Sequence, residues 1–232
     1  MTPSSPASAP PSIAERVAEV RARIEAACRA AGRDPAGVVL TAVSKTQTAE
    51  AIDAILATGQ RVFGENRVQE AQGRWTDRIA GPPNLELRLI GPLQTNKAED
   101  AVALFDVIET LDREKLARAL AEAAGKRGRS PRVLIQVNTG AEPQKAGVSP
   151  EAADTLIASA RAVYGLTVEG LMCIPPADQD AEPHFAMLRA LAERNGLSVL
   201  SMGMSGDYEA AIRCGATHVR VGTALFGERN RP

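Results

Sequence analysis

The residues Val38-Val39-Leu40-Thr41-Ala42-Val43-Ser44-Lys45 form an apolar stretch that predicts a buried β-strand and ends in a lysine. Because side chains alternate along a strand, Thr41, Val43 and Lys45 share one face. A helical pattern follows, which predicts a βα unit of a parallel sheet. Ligands of such sheets lie beyond the carboxyl ends of the strands, where Lys45 would present a reactive amine. A lysine that reaches solvent past the strand end is the alternative interpretation.

On either side of this stretch, strand patterns alternate with helical patterns. The further strand patterns cover residues 61–63, 85–90, 105–109, 132–138, 166–172, 197–202 and 217–221. A capping box at Ser12–Glu15 predicts a helix before the first strand, and a helix of about fifteen residues is expected from Gly64 onward. Repeated βα units of this number close most simply as a single (β/α)8 TIM-like barrel. An open doubly wound sheet is the alternative, but no G-x-G-x-x-G follows any of these strands.

The domain organisation follows from the length and from the first residues. The chain has 232 residues, enough for one large domain with a full core. Residues 1–11 are rich in Pro, Ser and Ala and lack the apolar core of a signal peptide, so a disordered tail is expected there. The barrel is therefore expected to cover residues 12–232.

The composition excludes several classes of function. The net charge is −1, and the basic cluster at 126–129 is interpreted as the solvated end of a helix, so no nucleic-acid partner is expected. No apolar run approaches the length that crosses a membrane. The three cysteines form no CxxC pair, which indicates a reducing compartment and a cytoplasmic protein. Only two histidines are present, far apart in sequence, so no metal site is expected.

Two glycine-containing loops predict a phosphate site. The first is Met-Gly-Met-Ser-Gly-Asp at 202–207, after the seventh strand, and the second is Gly222-Thr223, after the eighth. Barrels frequently bind phosphate with these two loops and a helix N-terminus. Ser205 and Thr223 offer hydroxyl groups, and a helix predicted at 207–214 offers free N–H groups. Either loop alone is better interpreted as an ordinary turn, but the two together favour a phosphate site.

Arg220 lies between Val219 and Val221 in the eighth strand. If the valines pack on the outer helices, Arg220 points into the barrel. A buried guanidinium without a partner is costly. In one interpretation Arg220 forms an ion pair with an inward carboxylate such as Glu109 or Glu169. In the other it faces a hydrogen-bond acceptor of a ligand beside the phosphate site.

A lysine, a phosphate cradle and an inward arginine on one rim suggest a phosphorylated carbonyl ligand held as a Schiff base. Pyridoxal 5′-phosphate (PLP) is the common cofactor of that kind. A class I-type aldolase, in which the lysine binds a sugar phosphate directly, is also compatible with these residues.

Several motifs occur together in a characteristic order and spacing. They are AVSKT at 42–46, FGEN at 63–66, IGPLQTNK at 90–97, GLM at 170–172, LSMGMSGD at 200–207 and VRVGTALFG at 219–227. By these motifs the chain resembles the pyridoxal phosphate homeostasis proteins, over nearly all of its length after the tail. The resemblance implies a single-domain barrel similar to the cofactor-binding domain of alanine racemase.

The same resemblance implies a set of cofactor contacts. They are Lys45, Asn66, Ser205, Gly206, Arg220, Gly222 and Thr223. Lys45 matches the lysine that forms the covalent internal aldimine, and Arg220 matches the arginine that faces the pyridine nitrogen. Ser205, Gly222 and Thr223 match phosphate contacts, and Gly206 lies beside them. Asn66 matches a residue that lines the cofactor.

The chain departs from the family pattern at two positions. Gln47 stands where the family often has a second lysine, and Arg88 stands where it often has a histidine in the third strand. Gln47 removes a neighbouring amine to which the cofactor could pass. Neither departure touches Lys45, the phosphate loops or Arg220.

The resemblance also bears on whether the chain is an enzyme. An arginine beside the pyridine nitrogen disfavours protonation of that nitrogen, and an unprotonated ring is a poor electron sink. Alanine racemase uses a tyrosine from a second domain, for which this chain has no residues left; its only tyrosines are Tyr164 and Tyr208. We therefore expect a PLP carrier or regulator without strong catalysis, serving PLP-dependent apo-enzymes as a monomer or weak dimer. An amino-acid racemase and the Schiff-base aldolase are the alternatives.

Overall fold

The eight predicted strands are present in the computed structural model, which describes residues 10–227, and they close into a parallel barrel in chain order. The strands are β1 Val39–Val43, β2 Val62–Glu65, β3 Glu86–Leu89, β4 Val107–Leu111, β5 Arg132–Val137, β6 Val168–Cys173, β7 Val199–Ser201 and β8 His218–Val221. The prediction of a (β/α)8 barrel is confirmed, and the open sheet is excluded because β1 pairs with both β2 and β8.

Helices alternate with the strands around the barrel. They are α1 Ile13–Ala30, α2 Ala49–Ala57, α3 Val68–Trp75, α4 Ala98–Leu104, α5 Glu114–Arg127, α6 Pro150–Ala162, α7 Glu182–Arg194, α8 Tyr208–Arg213 and α9 Thr223–Phe226. The capping box before α1 is confirmed: the Glu15 N–H donates to Ser12 Oγ, and the Ser12 N–H donates to the Glu15 carboxylate. The division into a tail at 1–11 and a barrel at 12–232 stays a prediction, since residues 1–9 and 228–232 lie outside the described part of the chain.

The helix after β2 is shorter than predicted. It begins at Val68, because Gly64 and Glu65 still belong to the strand, and it ends at Trp75. Just beyond that end, both the N–H and the hydroxyl of Thr76 donate to the Gln72 carbonyl. The sequence expectation of about fifteen residues was therefore wrong, and a turn-rich segment occupies the remainder.

The apolar core lies mainly between the strands and the helices, as a parallel sheet requires. A second, small apolar cluster contains Val107, Leu134 and Met172, with Ile174 and Val199 packed against it. Along their strands, these side chains alternate with residues of the larger core between the strands and the helices, so they face the inside of the barrel. Buried polar side chains, among them Arg88, Glu109, Ser201 and Arg220, also face the interior, and Arg220 belongs to the candidate site.

His218, at the start of β8, faces this polar interior. Its Nδ1 lies 3.0 Å from the Thr217 hydroxyl. Burial, and then the positive charge of Arg88, lower the pKa of His218 to about 4. Glu109, Glu86 and Arg132 are the other charged groups that act on this ring.

This lowered pKa predicts a loss of stability in mild acid. The unfolded chain takes up the histidine proton near pH 6.5, and the folded chain does so only near pH 4. The free energy of unfolding should therefore fall as the pH drops through this window, by about 2 kcal/mol at roughly pH 5. Urea unfolding at neutral and mildly acidic pH measures the effect. His218→Gln should abolish the loss between roughly pH 6.5 and pH 5, and His184→Gln is the matched control. An equal loss in wild type and His218→Gln would contradict the assignment.

Candidate functional site

The structure brings the predicted site residues to one cavity at the carboxyl ends of the strands. The cavity has a volume of about 340 Å³ and is lined by Val43, Lys45, Gln47, Asn66, Ile90, Ile174, Met204, Ser205, Gly206, Arg220, Gly222, Thr223 and Gly227. This volume is within the range of pockets that hold small organic ligands. The sequence missed the apolar walls, Ile174 and Met204, since isolated apolar residues after a strand carry no distinct signal. The contact of each predicted residue with a cofactor stays a prediction.

The backbone at Lys45 is held through a buried carboxylate, that of Glu65, which also bonds side chains of α3. Ser44, the preceding residue, donates its hydroxyl to Glu65 Oε1 at 2.7 Å. Glu65 is fully buried and also accepts from Trp75 Nε1 at 2.9 Å and from Arg74 Nη2 at 2.8 Å. Because Glu65 immediately precedes Asn66, the same carboxylate ties the lysine and the asparagine to α3. The only sequence signal for this role of Glu65 is an acidic residue at the end of a buried strand.

The backbone just after Lys45 is constrained. Thr46 has φ 63°, in the left-handed region that a β-branched residue rarely adopts. Such a conformation costs on the order of 1–3 kcal/mol and persists only where the surrounding structure imposes it. The chain therefore turns sharply at Thr46, and the hydrogen bond of Ser44 holds the other side of the lysine.

The loop after β7 forms one side of the cavity. Gly203 has φ 90°, and a Cβ there would lie 2.5 Å from the Ala211 Cβ, so this turn requires glycine. The Met204 N–H donates to Asp207 Oδ1 at 2.6 Å, which closes the loop. The predicted helix at 207–214 begins one residue later and is only six residues long, Tyr208–Arg213. A helix this short contributes less positive dipole to an anion at this loop than the helix predicted from the sequence would.

The loop after β8 meets the first loop across the cavity. The Gly222 N–H points to Ser205 Oγ at 3.4 Å, and α9 begins at the next residue. Thr223 and Gly206 are exposed, and no atom lies within 4 Å of a Cβ built on Gly206. Hydroxyl groups, open backbone and the first N–H groups of α9 thus converge where the sequence predicted a phosphate site.

Arg220 is buried on the cavity floor with its guanidinium held by hydrogen bonds. Nη1 donates to Ser201 Oγ at 2.8 Å, and Nη2 donates to the Cys173 carbonyl at 2.8 Å. The Ser201 hydroxyl in turn donates to Glu109 Oε2 at 2.5 Å. Arg220 therefore reaches Glu109 through Ser201, and it also lines the cavity. Its contact with a ligand acceptor stays a prediction.

Glu169, the other acidic partner considered for Arg220, lies elsewhere. Its Oε2 is 3.5 Å from Arg132 Nη1. The bulge between β5 and β6 shifts the register near Val133, so simple alternation along β6 misplaces this side chain. Direct pairing of Arg220 with Glu169 was therefore wrong.

The remaining reactive side chains do not contribute to the cavity lining. Cys173 is fully buried, and burial raises the pKa of its thiol to about 12. Tyr208 is buried under the guanidinium of Arg23, 5.4 Å from the ring centroid. The Tyr164 hydroxyl donates to Glu114 at 3.0 Å. Neither tyrosine therefore offers a base at the cavity.

Within residues 10–227, no group of three or more His, Cys, Asp or Glu side chains is arranged to hold a metal ion. In the same part of the chain, every helix is too short or too polar to cross a membrane.

Comparison with known proteins gives a consistent result. Residues 16–230 match the family model described as alanine racemase, N-terminal domain. A Pseudomonas aeruginosa protein named pyridoxal phosphate homeostasis protein is 46% identical over 223 residues, which are 94% of this chain and 96% of that protein. A protein of the same name from Escherichia coli is 38% identical over 231 residues, covering 94% of this chain and 97% of its own length.

Solved structures show the same similarity. PipY of Synechococcus elongatus, solved with PLP bound, superposes with a TM-score of 0.79 at 37% identity, covering 93% of this chain and 100% of its own. An alanine racemase of Clostridium difficile superposes with a TM-score of 0.70 at 16% identity. That match covers 94% of this chain and 58% of the racemase, and it concerns the fold alone.

Proposed function

This chain belongs to the pyridoxal phosphate homeostasis proteins, within the alanine racemase N-terminal domain family, and we propose that it binds PLP in the cavity at Lys45. Lys45 holds the cofactor through a Schiff base to its side-chain amine. The protein acts as a carrier or regulator of PLP rather than as an enzyme. Its partners are PLP-dependent apo-enzymes of the cytoplasm, which it serves as a monomer or weak dimer.

The observation that carries this proposal is the meeting of an amine, a phosphate cradle and a guanidinium on one cavity of about 340 Å³. PLP has an aldehyde, a phosphate and a pyridine nitrogen, each of which needs a different protein group. The donor set of the cavity therefore fits the cofactor. The PLP-bound structure of PipY, a relative of 37% identity, supports the same conclusion.

Each part of the cavity has a separate task in binding. Ser205, Thr223 and the backbone N–H groups around Gly222 bind the phosphate, and Arg220 faces the pyridine nitrogen. Asn66 and the apolar side chains Val43 and Ile90 line the cofactor and exclude water from its ring. When bound, PLP supplies an electrophilic aldehyde, and Lys45 supplies the amine that captures it.

The surroundings of Arg220 favour a carrier over a catalyst. Its guanidinium is always charged and is held by Ser201 and Cys173, so a positive charge faces the ring nitrogen and disfavours its protonation. An unprotonated ring withdraws electrons poorly. The phosphate end is open, since Gly206 and Thr223 are exposed, and an open site suits release of the cofactor.

Lys45→Ala tests the covalent attachment. Wild-type protein loaded with PLP should show a visible absorption band that disappears on borohydride reduction and leaves a stable mass increase of one cofactor. Lys45→Ala should lose both the band and the mass increase completely. Lys115→Ala, which removes an exposed lysine at the start of α5, is the matched control and should behave as wild type. A wild type that stays colourless with added PLP would overturn the proposal.

The absence of strong catalysis is tested separately. PLP-loaded wild type is incubated with single enantiomers of amino acids, and the opposite enantiomer is measured by chiral chromatography. We expect no conversion above that of Lys45→Ala. Conversion that depends on Lys45 would instead show a racemase, and borohydride trapping of a sugar phosphate without bound chromophore would show an aldolase.

A further inference from the structure

A chain of buried polar groups crosses the barrel interior below the cavity. Arg88 Nε donates to Glu109 Oε1 at 2.5 Å, and the Ser201 hydroxyl donates to the other oxygen of the same carboxylate. Ser201 Oγ then accepts from Arg220 Nη1 at 2.8 Å. Each of these side chains is nearly or fully buried, so water does not compete for their hydrogen bonds.

The direction of each bond in this chain is set by chemistry. A guanidinium only donates hydrogen bonds, and an ionised carboxylate only accepts them. Burial would raise the pKa of Glu109, but the charges of Arg88 and Arg220 and the bond from Ser201 outweigh burial and lower it. The Ser201 hydroxyl therefore has one orientation, donating to Glu109 and accepting from Arg220.

This arrangement keeps the carboxylate and the second arginine apart. Glu109 lies between two arginines, contacts Arg88 directly and reaches Arg220 only through the serine. A direct ion pair would turn Arg220 toward Glu109 and neutralise its charge at the cavity. The hydroxyl satisfies both groups while leaving the guanidinium at the cavity floor.

We infer that Ser201 is a positioning residue for the cofactor: its hydroxyl separates Arg220 from Glu109 and so holds a full positive charge against the pyridine edge of bound PLP. This inference rests on the proposed function, because it concerns the same cavity. Ser201 is not one of the residues that line the cavity, and it acts through its hydrogen bond with Arg220, which is.

Ser201→Ala is the variant that tests this inference, with Ser201→Thr as the version that keeps the hydroxyl. The matched control is Thr110→Val, which removes another buried hydroxyl of the barrel, one without a hydrogen-bond partner among the described residues. Urea unfolding of the apo-proteins first establishes that each variant folds. If Ser201→Ala does not fold, Ser201→Cys, which nearly preserves the side-chain volume, is measured in its place.

The decisive readout is the pH at which the visible band of bound PLP changes. The pKa of His218 is about 4 and that of Cys173 is about 12, so neither group titrates at the pH values between them, where the band is followed. Arg88 is the other charged side chain bonded to Glu109. Lys45 lines the cavity together with Arg220, and it is the residue on which the visible band reports. A displaced Arg220 should move the midpoint by about one pH unit in Ser201→Ala. Retention of PLP during dialysis should fall by about tenfold in the same variant.

The outcomes are distinct from failure of the proposed function. If wild type forms no visible band, the cofactor proposal itself fails. If wild type forms the band and its midpoint moves in Ser201→Ala, but not in Ser201→Thr or Thr110→Val, the positioning role is supported. An unmoved midpoint in Ser201→Ala, or an equal shift in Ser201→Thr, would overturn it even if PLP is lost faster.

Discussion

Glu109→Gln should lower the free energy of unfolding of the apo-protein by about 3 kcal/mol. The glutamine keeps the shape of the side chain but removes the charge that faces Arg88, whose side chain is 2% exposed. Breaking a buried ion pair by removing one partner is strongly destabilising, because the other charge stays buried. The loss should be at the lower end of the usual range, since Arg88 Nη1 also contacts Glu86 at 2.5 Å. Urea unfolding at neutral pH measures it.

Two further variants make this expectation specific. Glu99→Gln removes an exposed carboxylate that lies 3.3 Å from Arg127, and it should cost less than about 1 kcal/mol. The double variant Arg88→Gln/Glu109→Gln should be less destabilised than the sum of its single variants, because it leaves no buried charge unpaired. Equal losses in Glu109→Gln and Glu99→Gln would show that the buried carboxylate is not needed.

Gly91→Ala should lower the free energy of unfolding by about 2–3 kcal/mol and weaken the binding of PLP. A Cβ at residue 91 would lie 2.3 Å from the Asn66 carbonyl oxygen and 2.7 Å from the Asn66 Cα. Both contacts are with backbone, so no change of rotamer relieves them. The β2–α3 loop would have to move, and it carries Asn66 on the cavity wall. Urea unfolding and equilibrium dialysis with PLP measure the two effects.

Gly125→Ala is the matched control for this change. Gly125 lies within α5, and no atom lies within 4 Å of a Cβ built there. Alanine has the higher helix propensity, so this variant should gain up to about 1 kcal/mol and bind PLP as wild type does. If Gly91→Ala behaves like Gly125→Ala, the close approach of Gly91 and Asn66 does not support the site.

Local patterns were sufficient to predict most of the fold. The alternation of apolar strands and amphipathic helices indicated eight βα units, and the structure closes them into a barrel in chain order. The largest error was α3, where the pattern continued past Trp75 although the helix does not. Apolar periodicity reports which face of a helix is buried, and it does not report the residue at which the helix ends.

The sequence by itself determined which chemical groups can meet. Parallel βα units place the residues after each strand at the same end of a barrel, so Lys45 and the loops at 202–207 and 222–223 had to share one rim. The inward direction of Arg220 followed from the valines on either side of it. These conclusions need only periodicity and chain order, which are local properties of the sequence.

Only the tertiary structure decided what holds those groups in place. Ser201 and Glu109 are 92 residues apart, and their contact exists because closure of the barrel brings β4 and β7 together across its interior. Likewise, the Glu65 carboxylate at the end of β2 accepts hydrogen bonds from Ser44, just after β1, and from Trp75, at the end of α3. Side-chain hydrogen bonds act over about 3 Å, whereas sequence patterns describe only the face on which a side chain lies. The partner of Arg220 therefore depends on the packing of the whole barrel.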